Sequence, residues 1–160
     1  MKKYSAAEAE FRKVIEIDPQ NAGALNYLGY MLADRGERLD EARELIGKAL
    51  EIDPDNGAYL DSMGWVDFRL NNLDEAVRNL RLSIEKINGD ATVFDHLGDV
   101  YLKQGKVKDA IAQWQLSLTE WEKSSKSEVD PEEVAKVTRK LEGARVRLAR
   151  ESSGGEAKQQ

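Results

Sequence analysis

A period of 34 to 35 residues runs through the chain and limits its fold more than any single residue does. The stretch Ile15-Glu16-Ile17-Asp18-Pro19-Gln20-Asn21 returns as Leu50-Glu51-Ile52-Asp53-Pro54-Asp55-Asn56. Each copy joins an apolar helix end, a proline that stops the helix and an Asn suited to cap the next one. Leu28-Gly29-Tyr30 is answered by Met63-Gly64-Trp65 and then by Leu97-Gly98-Asp99, and an alanine recurs at Ala7, Ala42, Ala76 and Ala110. The alanines are 35, 34 and 34 residues apart and the glycines 35 and 34. Independent markers on one period mean an internal repeat, and a repeat of this length is one supersecondary unit that buries its apolar face only by stacking on its neighbours.

Apolar residues within each cycle recur at steps of three and four, so the unit is a pair of helices. The chain opens in mid-cycle: residues 1–20 read as the second helix of an incomplete repeat, with Ala7, Phe11, Val14 and Ile15 on its stripe. That opening suggests a piece of a longer array, or else a helix with one open flank. Three full cycles follow at 21–55, 56–89 and 90–123, capped by Asn21, Asn56 and Asp90. The first turn, at Gly36-Glu37-Arg38, absorbs one extra residue. Residues 124–130 read as a polar linker. Asp130-Pro131-Glu132-Glu133 then starts a helix over 131–151, with Val134, Val137, Leu141, Ala144 and Leu148 on one stripe. It reads as a cap over apolar surface that another repeat would cover. Residues 152–160 are expected to be a disordered tail.

Composition excludes several classes of function. The chain is 41% hydrophobic with no run near the ~20 apolar residues of a membrane span. A net charge of -6 disfavours non-specific nucleic-acid binding. No cysteine is present, so disulfides and thiolate metal sites are ruled out. His96 is the one histidine, with no ligand or nucleophile at helical spacing, and no phosphate loop or zinc spacing occurs. The chain is therefore read as non-enzymatic, with no cofactor.

Leu28-Gly29, Met63-Gly64 and Leu97-Gly98, with Ala42, Ala76, Ala110 and the closing Pro19 and Pro54, resemble the tetratricopeptide repeat. Leu28 to Arg35 is similar to a signature in the C-terminal part of long bacterial proteins of that family. The resemblance covers residue 4 to about residue 122 and rests on packing positions, so it is specific for fold and weak for function. It implies an all-α fold of antiparallel helix-turn-helix repeats stacked as a right-handed α-solenoid. It also implies a close helix approach at Gly29, Gly64 and Gly98. Asp67 departs from the pattern, where an aromatic is usual, and needs water or a donor such as Arg69 or Arg78.

In this family the first helices line a concave groove, which here would present Asn26, Tyr30 and Asp34, then Asp61, Trp65, Phe68 and Arg69, then Asp95, Asp99 and Lys103. The family's Lys/Asn clamp for a C-terminal carboxylate is missing. Aromatics with clustered aspartates suit a protein or peptide segment with apolar anchors and a basic residue. The competing reading is that the rings are packing, the acids a solvated face, or the groove covered by the C-terminal helix or a second copy. Scaffold or adaptor is thus the expected role. The alternatives are self-association through the opening half-repeat and an accessory domain of a larger enzyme. Cytoplasm is the default compartment, and the periplasm or envelope follows if the chain is cut from an exported protein.

Overall fold

A computed structural model describes residues 2–125 and 129–156, with side chains over 5–125 and 129–153. Among the described residues there are eight helices and no strand: α1 (Lys2–Ile17), α2 (Ala22–Arg35), α3 (Leu39–Ile52), α4 (Gly57–Arg69), α5 (Leu73–Ile87), α6 (Ala91–Lys103), α7 (Val107–Lys123) and α8 (Pro131–Glu156). They form two compact units, Met1–Asn88 and Gly89–Gln160.

The helix starts are set by the residues the period singled out. Asn21 Oδ1 accepts the Ala24 N–H at 3.0 Å, and Asn56 Oδ1 accepts those of Ala58 and Tyr59 at 3.1 and 3.3 Å. Asp90 does the same for Thr92 and Val93, at 2.8 and 3.3 Å, and Asp130 accepts the Glu132 N–H at 2.8 Å. Each bond satisfies an amide that the first turn cannot. The extra residue of the first turn is accommodated by left-handed backbone at Gly36 and Arg38.

In the first unit the hairpins α2–α3 and α4–α5 pack side by side, α3 against α4 and α2 against α4, with α1 against α2. The core holds Leu28, Leu32, Ala33, Ala42, Ile46, Met63 and Val66, ringed by Phe11, Ile15, Leu39, Leu45 and Trp65. The hairpins close tightly because the first helix has no side chain at the crossing. A Cβ on Gly29 would stand 2.6 Å from Ile46 Cγ1 and 2.8 Å from the Ala42 carbonyl oxygen, and one on Gly64 would stand 2.5 Å from Leu80 Cγ. The expected close approach is present, with one refinement: the side chain met is the one four residues after the alanine. The alanine keeps its own carbonyl close by being small.

The second unit is the hairpin α6–α7 with α8 laid along α7. Trp114 is fully buried, and its ring fills the space beside Gly98, where a Cβ would come within 2.5 Å of Nε1. From α8, Val137, Leu141 and Ala144 are buried, as the stripe requires of a cap. The helix runs to Glu156, five residues past the end expected from sequence. Ser152 and Ser153 continue it, their hydroxyls donating back to the Leu148 and Ala149 carbonyls at 2.9 Å each. Residues 157–160 of the expected tail, and 126–128 of the linker, lie outside the described residues.

A second hydrogen bond pins two of the hairpins. Ser83 Oγ donates to the Gly57 carbonyl at 2.7 Å, and Ser117 Oγ to the Ala91 carbonyl at 2.6 Å. Both serines are fully buried and stand one period apart, and Ala49 holds the same place on α3.

Candidate functional site

The sequence-predicted groove residues of the first unit stand on α2 and α4, which lie side by side. Trp65 and Phe68 stack with ring centroids 5.1 Å apart and planes at 27°. The Arg69 guanidinium stands 5.9 Å from the Trp65 ring centroid, and its Nη1 donates to the Asp34 carbonyl at 3.2 Å. Trp65 is therefore held from two sides, and α4 is tied through Arg69 to the end of α2. Tyr30, Asp61, Trp65, Phe68 and Arg69 are half-buried, Asp34 is exposed and Asn26 is buried. A rigid aromatic surface of this kind, edged by carboxylates, can take an apolar side chain and a nearby cation.

In the second unit the acids have a partner already. Lys140 Nζ, on α8, donates to both carboxylate oxygens of Asp95 at 2.8 and 2.9 Å and to Asp99 at 2.8 Å. Asp95 is buried and Asp99 half-buried. Burial raises the Asp99 carboxyl, the Asp95 charge raises it further, and Lys140 opposes both. Burial likewise works against the Lys140 ammonium, but Asp99 and Asp95 together outweigh it and hold its pKa above the ordinary lysine value. The cation expected from a partner is here supplied by the chain's own cap helix, the alternative the sequence left open for these two residues. Lys103 is exposed at the end of α6. His96 is buried on α6 and adds a charge interaction to Asp99.

Asp67 resolves differently from the sequence expectation. Its carboxylate is fully buried, and it accepts Arg43 Nε at 2.8 Å and Asn79 Nδ2 at 3.0 Å. Arg69 is engaged at Asp34, and Arg78 pairs with Glu75 on its own helix. Arg43 wins because it comes from α3, which packs on α4, whereas Arg78 lies one residue off the inward-facing Asn79. No motif advertises this pair. The signal in the sequence was Asp67 itself, a carboxylate where the other cycles carry Leu32 and Tyr101.

Among the described residues no group of three His, Asp or Glu side chains could hold a metal, and no helix is long and apolar enough to cross a membrane.

Residues 1–66 match the tetratricopeptide repeat family. A TPR repeat-containing protein of Pseudomonas aeruginosa is 46% identical over 92 residues; these are 58% of this chain and 15% of that protein, so the chain spans a small part of its relative. The solved structure of the Cut9–Hcn1 hetero-tetramer of APC/C superposes with a TM-score of 0.81 at 23% identity, over 92% of this chain and 27% of that one. The crystal structure of MamA gives 0.62 at 20% identity, over 92% and 91%. At these identities the two structures carry the fold alone. Over residues 1–66 the family match agrees with the period and the hairpin geometry, and the chain is similar to tetratricopeptide repeat proteins.

Proposed function

We propose that the chain is a non-enzymatic interaction module whose α2–α4 face binds a segment of another protein, one carrying an apolar anchor and a basic residue. The fold generally mediates protein–protein interaction, which supports the class of function. The observation that carries the finer reading is Trp65: a large ring, half-exposed, fixed between Phe68 and Arg69. A ring already held in place loses little freedom when a partner docks, and such aromatics dominate interface energetics. Asp61 and Asp34 supply the charge. The chemistry has a precedent within the chain, since Asp95 and Asp99 stand one period after Asp61 and Trp65 and accept a lysine from an apolar-striped helix.

A displayed library of short peptides, selected on the full chain, tests this. Enriched sequences should pair Leu or Phe with Lys or Arg, and Trp65→Ala should weaken the winners at least about tenfold, or ~1.4 kcal/mol, with helical content unchanged. Equal binding by Trp65→Ala and Tyr30→Ala chains would remove this face from the account.

A further inference from the structure

The outer side of α3 carries a glycine where its counterparts carry long side chains. Arg12, Gly47, Arg81 and Gln115 stand at one place on α1, α3, α5 and α7, 35, 34 and 34 residues apart. A glycine inside a helix weakens it relative to alanine, and packing does not ask for one here. A Cβ on Gly47 would meet only Met63 Cε, at 3.9 Å, an ordinary contact. Beside Arg12 lies a crevice of about 250 Å³ whose lining includes Glu16, Leu28 and Leu45. One period on, Gly47, Glu51 and Met63 take the places of Arg12, Glu16 and Leu28, and the crevice holds about 560 Å³. In the first crevice the Arg12 guanidinium donates to Glu8 at 3.0 Å and to Glu41 at 2.8 Å. In the second the chain supplies no side chain at that place, and the room is left.

We propose that the crevice at Gly47 takes an arginine side chain of a partner polypeptide, its aliphatic stem over Met63 and its guanidinium on Glu51. Charge favours a cation. Arg43 is spent on the buried Asp67 and Lys48 pairs with Glu44 at 2.9 Å, while among the described residues no hydrogen bond or ion pair engages Asp40 or Glu51. Around the crevice Asp40, Glu44, Glu51 and Asp67 therefore outnumber Arg43 and Lys48 by two. Glu51 stands one helical turn on from Gly47, within reach of a head group laid over the glycine. Shape favours arginine over lysine. The chain's own residue at this place one period earlier is Arg12, and a guanidinium bonds a carboxylate through two parallel N–H groups and gives up water more readily than an ammonium. Met63 and Trp65 are two residues apart on α4 and so point about 200° from one another, which makes this a second surface, independent of the α2–α4 face.

The probe is N-acetyl-arginine amide, titrated into the full chain carrying carbon-13-labelled methionine methyls and read at the Met63 methyl resonance. A saturable shift in the millimolar range, the affinity of a single small fragment, is expected. It should weaken at least about fivefold when N-acetyl-lysine amide or N-acetyl-leucine amide replaces the arginine, and as much with Glu51→Gln in the chain. Gly47→Gln gives the crevice the residue type of Gln115 without adding charge and should abolish the response. Its thermal melt should rise, since the helix loses a glycine. Three results overturn the proposal: no saturable shift at Met63, an equal response to the lysine or leucine amide, or a response that survives Gly47→Gln. Trp65 plays no part in this titration, so failure here leaves the α2–α4 reading where it stands.

Discussion

Replacing Arg43 by Ala removes one of the two donors that make the fully buried Asp67 carboxylate tolerable. Losing a hydrogen bond to a charged group costs about 1.5–3 kcal/mol, and stripping the partner from a wholly buried pair about 3–5 kcal/mol. The Arg43 side chain is 47% exposed while Asp67 has no exposure, so solvent screens the pair from one side and the lower range applies. Asn79 stays bonded at 3.0 Å and limits the loss further. The expected cost of Arg43→Ala is therefore about 1.5–2 kcal/mol. Arg43→Met with Asp67→Leu removes both charges and restores the residue type of Leu32, which fills this position in the preceding repeat. That double variant should fall within about 1 kcal/mol of the parent, since apolar replacement of a buried pair is often neutral. Amide hydrogen exchange of α4 in the full chain reads the local opening free energy directly. A loss under about 0.5 kcal/mol for Arg43→Ala, or simple additivity of the two substitutions, would refute the reasoning and mean that Asp67 finds water.

Asn56→Ala should cost about 1 kcal/mol by removing an acceptor shared by two amides, whereas Asn72→Ala should cost little through capping, because Asn72 makes no side-chain cap bond; thermal melts of both variants compare them. Gly98→Leu should destabilise the α6–α7 hairpin by more than about 1–3 kcal/mol, since the indole of Trp114 already fills the space and has no room to yield; urea unfolding measures it. The Lys140 ammonium, raised in the folded chain above its ordinary value of 10.5, contributes stability that is fully present below that value. This contribution is lost as pH rises through the folded pKa. Hydrogen exchange of α8 across that alkaline window should show its protection falling in the parent and already low and flat in Lys140→Met.

The helix bounds were largely legible because they are set by local chemistry. Caps at Asn21, Asn56 and Asp90, the turn at Gly36, and the Gly–Ala crossings sit in the sequence at fixed distances, and their physics involves only neighbours in the hairpin. What escaped were side chains whose partners lie outside the period. Arg43 reaches Asp67 from 24 residues away, and nothing in either cycle marks the two as a pair. Lys140 stands on a helix that does not repeat, so its reach to Asp95 and Asp99, 45 and 41 residues back, had no counterpart to reveal it. The sequence placed its candidate groove residues on α2, α4 and α6 by their position in the repeat. That Arg69 braces Trp65 while donating to Asp34 follows from helix packing that the sequence does not encode in any one motif.

The central claim, that the α2–α4 face is where a partner docks, is tested most directly by amide and indole chemical-shift mapping of the full chain with a peptide taken from the selection. Shifts should concentrate at Tyr30, Asp61, Trp65 and Arg69, with the Trp65 indole N–H among the largest. Shifts confined to α8 and the aspartates it covers, or spread over α3 with Trp65 unmoved, would contradict it.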